Sequence, residues 1–211
     1  MDGAAPAPAR RPSQAERSAR TRGALLEAAA RGLSRYGYGN LVLEQVARDA
    51  GYTRGALYHQ FKDKEDLALA VIDWVNEHWL REVGEPARRE PDPLAELLAL
   101  ARGHAVFCRG DIARVVMALR VEFSGQDHPV GREIERVSRT AIERVARLVN
   151  SARREGAVPP GPPAGVVAEA FLGALEGAVI ALAGRAPHDA RLAADAVAGV
   201  LGLHRPAPLG A

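Results

Sequence analysis

Cysteine is nearly absent from this 211-residue chain. Cys108 is the only one, so no internal disulfide can form, and the usage suits a reducing compartment. Aromatics make up 5% against 47% hydrophobic residues overall. Ala, Leu and Val carry the apolar content, which favours helices packed through small side chains over a β-rich fold. Strand-like alternation and internal repeats are missing. Lysine occurs only at Lys62 and Lys64; every other basic residue is arginine. No run approaches the ~18 uninterrupted apolar residues of a membrane span, and MDGAAPAPARRPSQAERSAR lacks the apolar h-region of a signal peptide. The expectation is a cytoplasmic chain without a membrane partner. No HxxxH or CxxC pair occurs, so no metal site is expected. Nor is a cofactor expected. A nucleophile–base pair and a phosphate loop are also missing, which argues against an enzyme.

What is present is unevenly distributed. Residues 1–64 carry a net charge of +5 and residues 65–211 a net charge of −3, within an overall +2. A basic first third on a mildly acidic remainder suits a nucleic-acid-binding head on a different body.

Residues 1–19 are rich in Ala, Pro, Arg and Ser and read as a disordered basic tail. A helical pattern starts near Thr21, with Leu25, Ala28, Ala29, Leu33 and Tyr36 on one face, and Gly37 ends it. A second helix is expected from Leu41 to Ala50, followed by Gly51 where positive φ suits glycine. Thr53 is a suitable N-cap for a short third helix ending near Phe61, buried through Leu57 and Phe61. Asp63 caps a fourth, running through Leu67, Val71, Trp74 and His78 to about Val83. Pro86, Pro91 and Pro93 mark a connection. Further helices are expected at about 93–108, 111–123, 130–155, 164–184 and 188–203, with a rigid PPGPP linker at 159–163.

The spacing within 41–61 carries the functional signal. Ala47 lets two helices approach, Gly51 turns the chain, and Leu57 plugs the crossing. This is the pattern of a helix-turn-helix, whose second helix enters the DNA major groove; an ordinary αα-corner is the competing interpretation.

Across about 21–72 the sequence resembles the DNA-binding region of the TetR/AcrR family of transcriptional regulators. The matching positions are Gly37-Tyr38, Val46-Ala47, Ala50-Gly51, Thr53, Gly55, Leu57-Tyr58, Phe61, Lys64 and Leu67. One departure is Leu41-Val42, where the family has a Thr-Ser/Thr pair that caps the second helix and contacts phosphate; Asn40 is available as a substitute cap. Tyr52 replaces a common aliphatic residue.

On this resemblance, Thr53 opens the recognition helix with N–H groups and a hydroxyl suited to a phosphate. Arg54 suits bidentate reading of a guanine edge. Gly55 allows close approach to DNA, and Ala56 suits a thymine methyl. The resemblance makes Tyr58 and Lys64 phosphate contacts. His59 is placed either for groove contact or as a solvated side chain. Arg22, with Arg17 and Arg20, lies within reach of the backbone or minor groove, or belongs to a solvated face.

The body yields two expectations. Small residues Ala170, Gly173, Gly177, Ala181 and Gly184 form one stripe along 164–184. Leu192, Ala196 and Val200 give the last helix an apolar face. Together these suit a four-helix homodimer interface about a two-fold axis, with packing inside one subunit as the alternative. Trp74, His78, His104, Phe107, Met117, Arg120, Phe123 and Phe171 lie on otherwise apolar helices. They are candidates for lining a cavity for a small, largely apolar molecule, with core packing as the alternative.

The expected architecture is therefore all-α with about nine helices. The tail is 1–19, the three-helix helix-turn-helix domain 20–68, and the helical effector-binding and dimerisation domain 69–205. The expected function is a ligand-responsive regulator. As a repressor it would bind a palindromic double-stranded DNA operator as a homodimer and be released by an unidentified small-molecule effector, through a shift of the fourth helix that the resemblance implies. A helical enzyme and a protein-docking adaptor are the rivals.

Overall fold

The structure is a computed structural model and describes residues 13–182 and 186–203. Its regular elements are helical among these residues: α1 (Gln14–Tyr36), α2 (Leu43–Asp49), α3 (Arg54–Gln60), α4 (Lys64–Trp79), a π-turn (Leu80–Gly84), a single-turn α5 (Glu85–Ala87), α6 (Pro93–Phe107), α7 (Val115–Glu122), α8 (Pro129–Arg154), α9 (Ala164–Leu182) and α10 (His188–Val200).

The first helix starts earlier than its apolar pattern. The Ser13 hydroxyl accepts from Glu16 N, and the Glu16 carboxylate accepts from Ser13 N, which makes a capping box. Residues 14–19, expected in the tail, are therefore helical. Residues 1–12 of that tail, Gly184 of the small stripe and residues 204–205 of the expected body lie outside the described residues.

Local signals set the other ends. Gly37 ends α1 at φ 74°, and Gly51 turns between α2 and α3 at φ 76°. Thr53 Oγ1 accepts from Ala56 N, and Asp63 Oδ1 accepts from Asp66 N. Asn40 does not cap α2. Its Nδ2 donates to Tyr36 O at 3.1 Å, where the last turn of α1 leaves carbonyls unpaired. Val42 holds the N-cap position of α2 without a side-chain bond. Residues 111–114 remain in turns closed by Ala113 N→Gly110 O and Val115 N→Ile112 O, so α7 starts at Val115 rather than at 111.

Two main apolar cores organise the chain. The first joins Leu25, Leu33, Leu57, Phe61 and Leu67 to Val115, Leu119, Phe123, Val130 and Ile134. The N-terminal helices therefore share a core with α7 and α8, and α4 belongs to both halves. The second core packs α6, α8, α9 and α10 through Leu97, Val145, Val149, Phe171, Leu175 and Val197.

Candidate nucleic-acid interface and ligand cavity

On α3 the buried and exposed faces separate cleanly. Leu57 and the following Phe61 are 0% and 1% exposed, which anchors the helix against α2 and α1. Thr53, Arg54, Gly55, Tyr58 and His59 are exposed, and Ala56 is half-buried. A Cβ at Gly55 would meet only Thr53 Oγ1, at 3.8 Å. The protein's own packing therefore does not demand glycine there.

Arg54 has partners within the protein. Its Nη1 lies 3.1 Å from Glu44 Oε1 on α2, and its guanidinium sits 5.3 Å from the Tyr58 ring centroid. The Tyr58 hydroxyl and Glu44 keep the Arg54 guanidinium above its ordinary pKa. Glu44 was not singled out in the sequence. A carboxylate ten residues before an arginine has no local signature, and only the crossing of α2 and α3 brings them together.

Arg22 has a structural task. Its Nη1 donates to Gln60 O at 3.2 Å and its guanidinium lies 4.5 Å from the Phe61 ring centroid. It thus ties the C-terminal end of α3, where a cation is favourable, to α1. Ser18 assists by accepting from Gln60 Nε2. Lys64 is half-buried. Its Nζ donates to Gly39 O at 3.0 Å and sits 4.7 Å from the Tyr38 ring centroid, and burial lowers its pKa.

A cavity of about 280 Å³ lies between α4, α6, α7, α8 and α9. Of the expected lining residues, His104, Phe107, Met117, Arg120 and Phe171 are on its wall. Trp74, His78 and Phe123 are not. Trp74 and His78 pack on each other at 4.1 Å between centroids, and Phe123 stacks on His128 at 4.5 Å. The wall also takes Asn76, Trp79, Ser138 and a set of arginines that the sequence reading did not single out. Arg120 pairs with Glu176 at 2.9 Å. Arg144 Nη2 donates to Glu96 at 2.6 Å and to Gly84 O at 3.1 Å. Arg120 Nε and Arg144 Nη1 are buried without a hydrogen-bond partner.

Residues 25–71 match the family described as bacterial regulatory proteins, tetR family. Over these residues the chain is similar to that family. It is 41% identical over 68 residues to the HTH-type transcriptional regulator CymR of Pseudomonas putida, covering 32% of this chain and 34% of CymR. The matched segment thus spans about a third of that relative's length. The fold extends the likeness along the body. A TetR-family transcriptional regulator from Streptomyces coelicolor aligns at TM-score 0.72 and 22% identity, over 87% of this chain and 95% of that one. AibR, solved in complex with isovaleryl coenzyme A and operator DNA, aligns at TM-score 0.71 and 22% identity, over 85% and 97%.

The helix-turn-helix and the cavity meet on α7. Glu122, at its end, accepts from Tyr38 N and Gly39 N, each at 2.6 Å. These are the first residues after Gly37, so one carboxylate holds the turn that leads into α2. Beside it, Tyr38 lies edge-on to Phe123 at 5.2 Å and to His128 at 5.4 Å between centroids. Deeper in the body, His104 Nδ1 accepts from Trp79 Nε1 at 3.1 Å, and its Nε2 lies 3.5 Å from Cys108 Sγ. Burial pushes the His104 pKa down to about 4 and the Cys108 thiol up to about 12. Both are neutral near pH 7, and the thiol is no reactive group.

Proposed function

We propose that this protein is a DNA-binding transcriptional regulator that represses as a homodimer on a palindromic operator and is released by a small molecule. The observation that carries this reading is α7. It supplies Met117 and Arg120 to the cavity wall and Glu122 to the turn of the reading head. A ligand that moves α7 therefore acts on the orientation of α2 and α3.

On DNA, α3 offers Arg54 to base edges, with Tyr58 and Lys64 as backbone contacts and Thr53, Gly55, Ala56 and His59 on the same exposed surface. Arg22 contributes by fixing the end of α3.

A second copy of the chain is the partner that fits α9. This helix has mean hydropathy 1.8 over its most apolar window, yet only 28% of that window is buried. Val166 and Ile180 are 55% and 70% exposed. Ala170, Gly173, Gly177 and Ala181 lie exposed beside them, with Leu192 and Ala196 of α10 exposed and Val200 half-buried. A Cβ at Gly173 or Gly177 would meet nothing within 4 Å. Pairing this surface about a two-fold axis covers it and sets two recognition helices on one DNA face. Successive major grooves lie about 34–36 Å apart, and ligand-driven movement of the heads from that spacing costs operator affinity.

The cavity is the effector site in this reading, as AibR was solved with both an acyl-coenzyme A and operator DNA. A metabolite library screened by thermal shift on the purified chain, then by release from its operator, tests it. Ligands that stabilise the free protein should weaken DNA binding about 5- to 150-fold, the usual range of coupling. Stabilising ligands that leave operator affinity unchanged would contradict it.

A further inference from the structure

Resting on the cavity as the effector site, we infer that the effector is an amphipathic anion: a short or medium apolar chain ending in a carboxylate or phosphate. The cavity wall combines two chemistries. Leu100, Phe107, Met117, Phe171 and Leu175 supply apolar surface. Arg88, Arg144 and Arg147 also line it, and Arg144 stands beside Gly84.

Three details make the wall around Arg144 a place for negative charge. Arg144 uses Nη2 on Glu96 and Gly84 O, while its Nη1 is buried and makes no hydrogen bond. A Cβ at residue 84 would stand 3.2 Å from that Nη1 and 3.2 Å from Leu80 Cδ2, so glycine keeps the space beside the donor open. Arg88, at the end of the turn that Gly84 begins, and Arg147, three residues after Arg144 on α8, are exposed on the rim. Neither side chain makes an ion pair or hydrogen bond among the described residues. The remaining lining arginines are engaged elsewhere: Arg120 with Glu176, and Arg136 with Glu133 and Asp73. A buried charged donor without a partner is costly, and an anion beside Gly84 satisfies Nη1 while Arg88 and Arg147 neutralise it from the rim.

The volume bounds the chain. About 280 Å³ is just below the roughly 300–1,000 Å³ of small-molecule sites, which suits a chain of medium length or less. Carboxylate and phosphate heads share the chemistry that three arginines recognise. A free fatty acid brings the first, and an acyl thioester of a phosphorylated carrier brings the second.

Calorimetric titration of the full chain with octanoate, octanoyl-coenzyme A and 1-octanol tests this. At least one anion should bind about tenfold or more tighter than octanol, the scale of one charge-assisted hydrogen bond. The gap should shrink between about 0.05 and 0.5 M salt as screening shortens. Preference for octanoate identifies a bare carboxylate, and preference for the thioester a phosphorylated head. In the double variant Arg88→Ala/Arg147→Ala, whose side chains have no partners to lose, the anion's advantage should fall while octanol affinity holds. Octanol binding as tightly as both anions would overturn the inference and leave the cavity as an effector site. Failure of all three to bind would also overturn it. The effector reading itself then falls only if the library screen returns no ligand that releases the operator.

Discussion

Arg120 and Glu122 stand two residues apart on α7 and hold different parts of the molecule. Arg120 lines the cavity and pairs with Glu176 of α9, while Glu122 accepts from two backbone N–H groups of the turn before α2. A rigid helix of eight residues thus gives the body a direct grip on the head, in addition to the continuous helix α4. The shared core of α1, α4, α7 and α8 makes this grip part of a packed unit rather than a hinge.

Removing the Glu122 carboxylate should therefore loosen transmission more than binding. In Glu122→Ala, the ligand-induced loss of operator affinity should shrink well below the wild-type coupling, typically about 1–3 kcal/mol. Affinity of the free protein for the same ligand should stay within about twofold, because Glu122 does not line the cavity. Anisotropy titrations with and without ligand read both. Coupling as large as in the wild type would place transmission in α4 alone.

The head should separate base reading from backbone contact. Arg54→Ala should relax preference at one position per half-site, at about 1–3 kcal/mol. Lys64→Ala should weaken all sequences alike and reduce the salt slope by about one. Because Lys64 also bonds Gly39 O, its variant should melt slightly lower as well. Uniform loss with both substitutions would make Arg54 a phosphate contact.

Gly177 faces open space in one subunit, so a side chain there is harmless unless a partner covers it. Gly177→Leu should leave the subunit folded by circular dichroism. It should shift sedimentation toward monomer, since overpacking an interface costs about 1–3 kcal/mol. Operator affinity should fall steeply. An unchanged dimer would remove this face from the account.

His104 should make stability depend on pH in a defined window. Its pKa is about 4 in the folded protein against an ordinary 6.5. The unfolded chain therefore binds more protons between these values. Stability from the neutral imidazole is complete above about pH 6.5 and lost as pH falls toward 4, by about 3 kcal/mol in all. Protonation of Nδ1 would also break its bond from Trp79. Urea unfolding at pH 7 and pH 4.5, compared between wild type and His104→Gln, isolates this contribution from that of the carboxylates. Parallel pH curves would show that His104 is hydrated or protonated in the fold.

The head was legible because its determinants are local. Gly51, Thr53 and Asp63 act within one turn of the chain, and Leu57 and Phe61 give α3 its buried side by spacing alone. The Ser13–Glu16 capping box was equally local, but the Pro- and Ala-rich composition around it masked the start of α1. The cavity was only half legible. Its wall on α4 lies one residue round the helix from the Trp74–His78 stripe, on Val75, Asn76 and Trp79, and apolar periodicity does not fix rotation that finely. The arginines were unreadable for another reason. Arg144 gains its meaning from Gly84 and Glu96, 60 and 48 residues away in sequence, so only the packed fold shows which of its nitrogens is left without a partner.

The central claim, a dimer that reads paired half-sites, is tested most directly by sequencing genomic fragments retained by the purified full chain. The account predicts enrichment of palindromes whose half-sites fall on one DNA face, about one helical turn or a multiple apart. The same selection with Arg54→Ala should lose preference at one symmetric pair of positions. Fragments retained without sequence enrichment, or enriched for single unpaired sites, would contradict it.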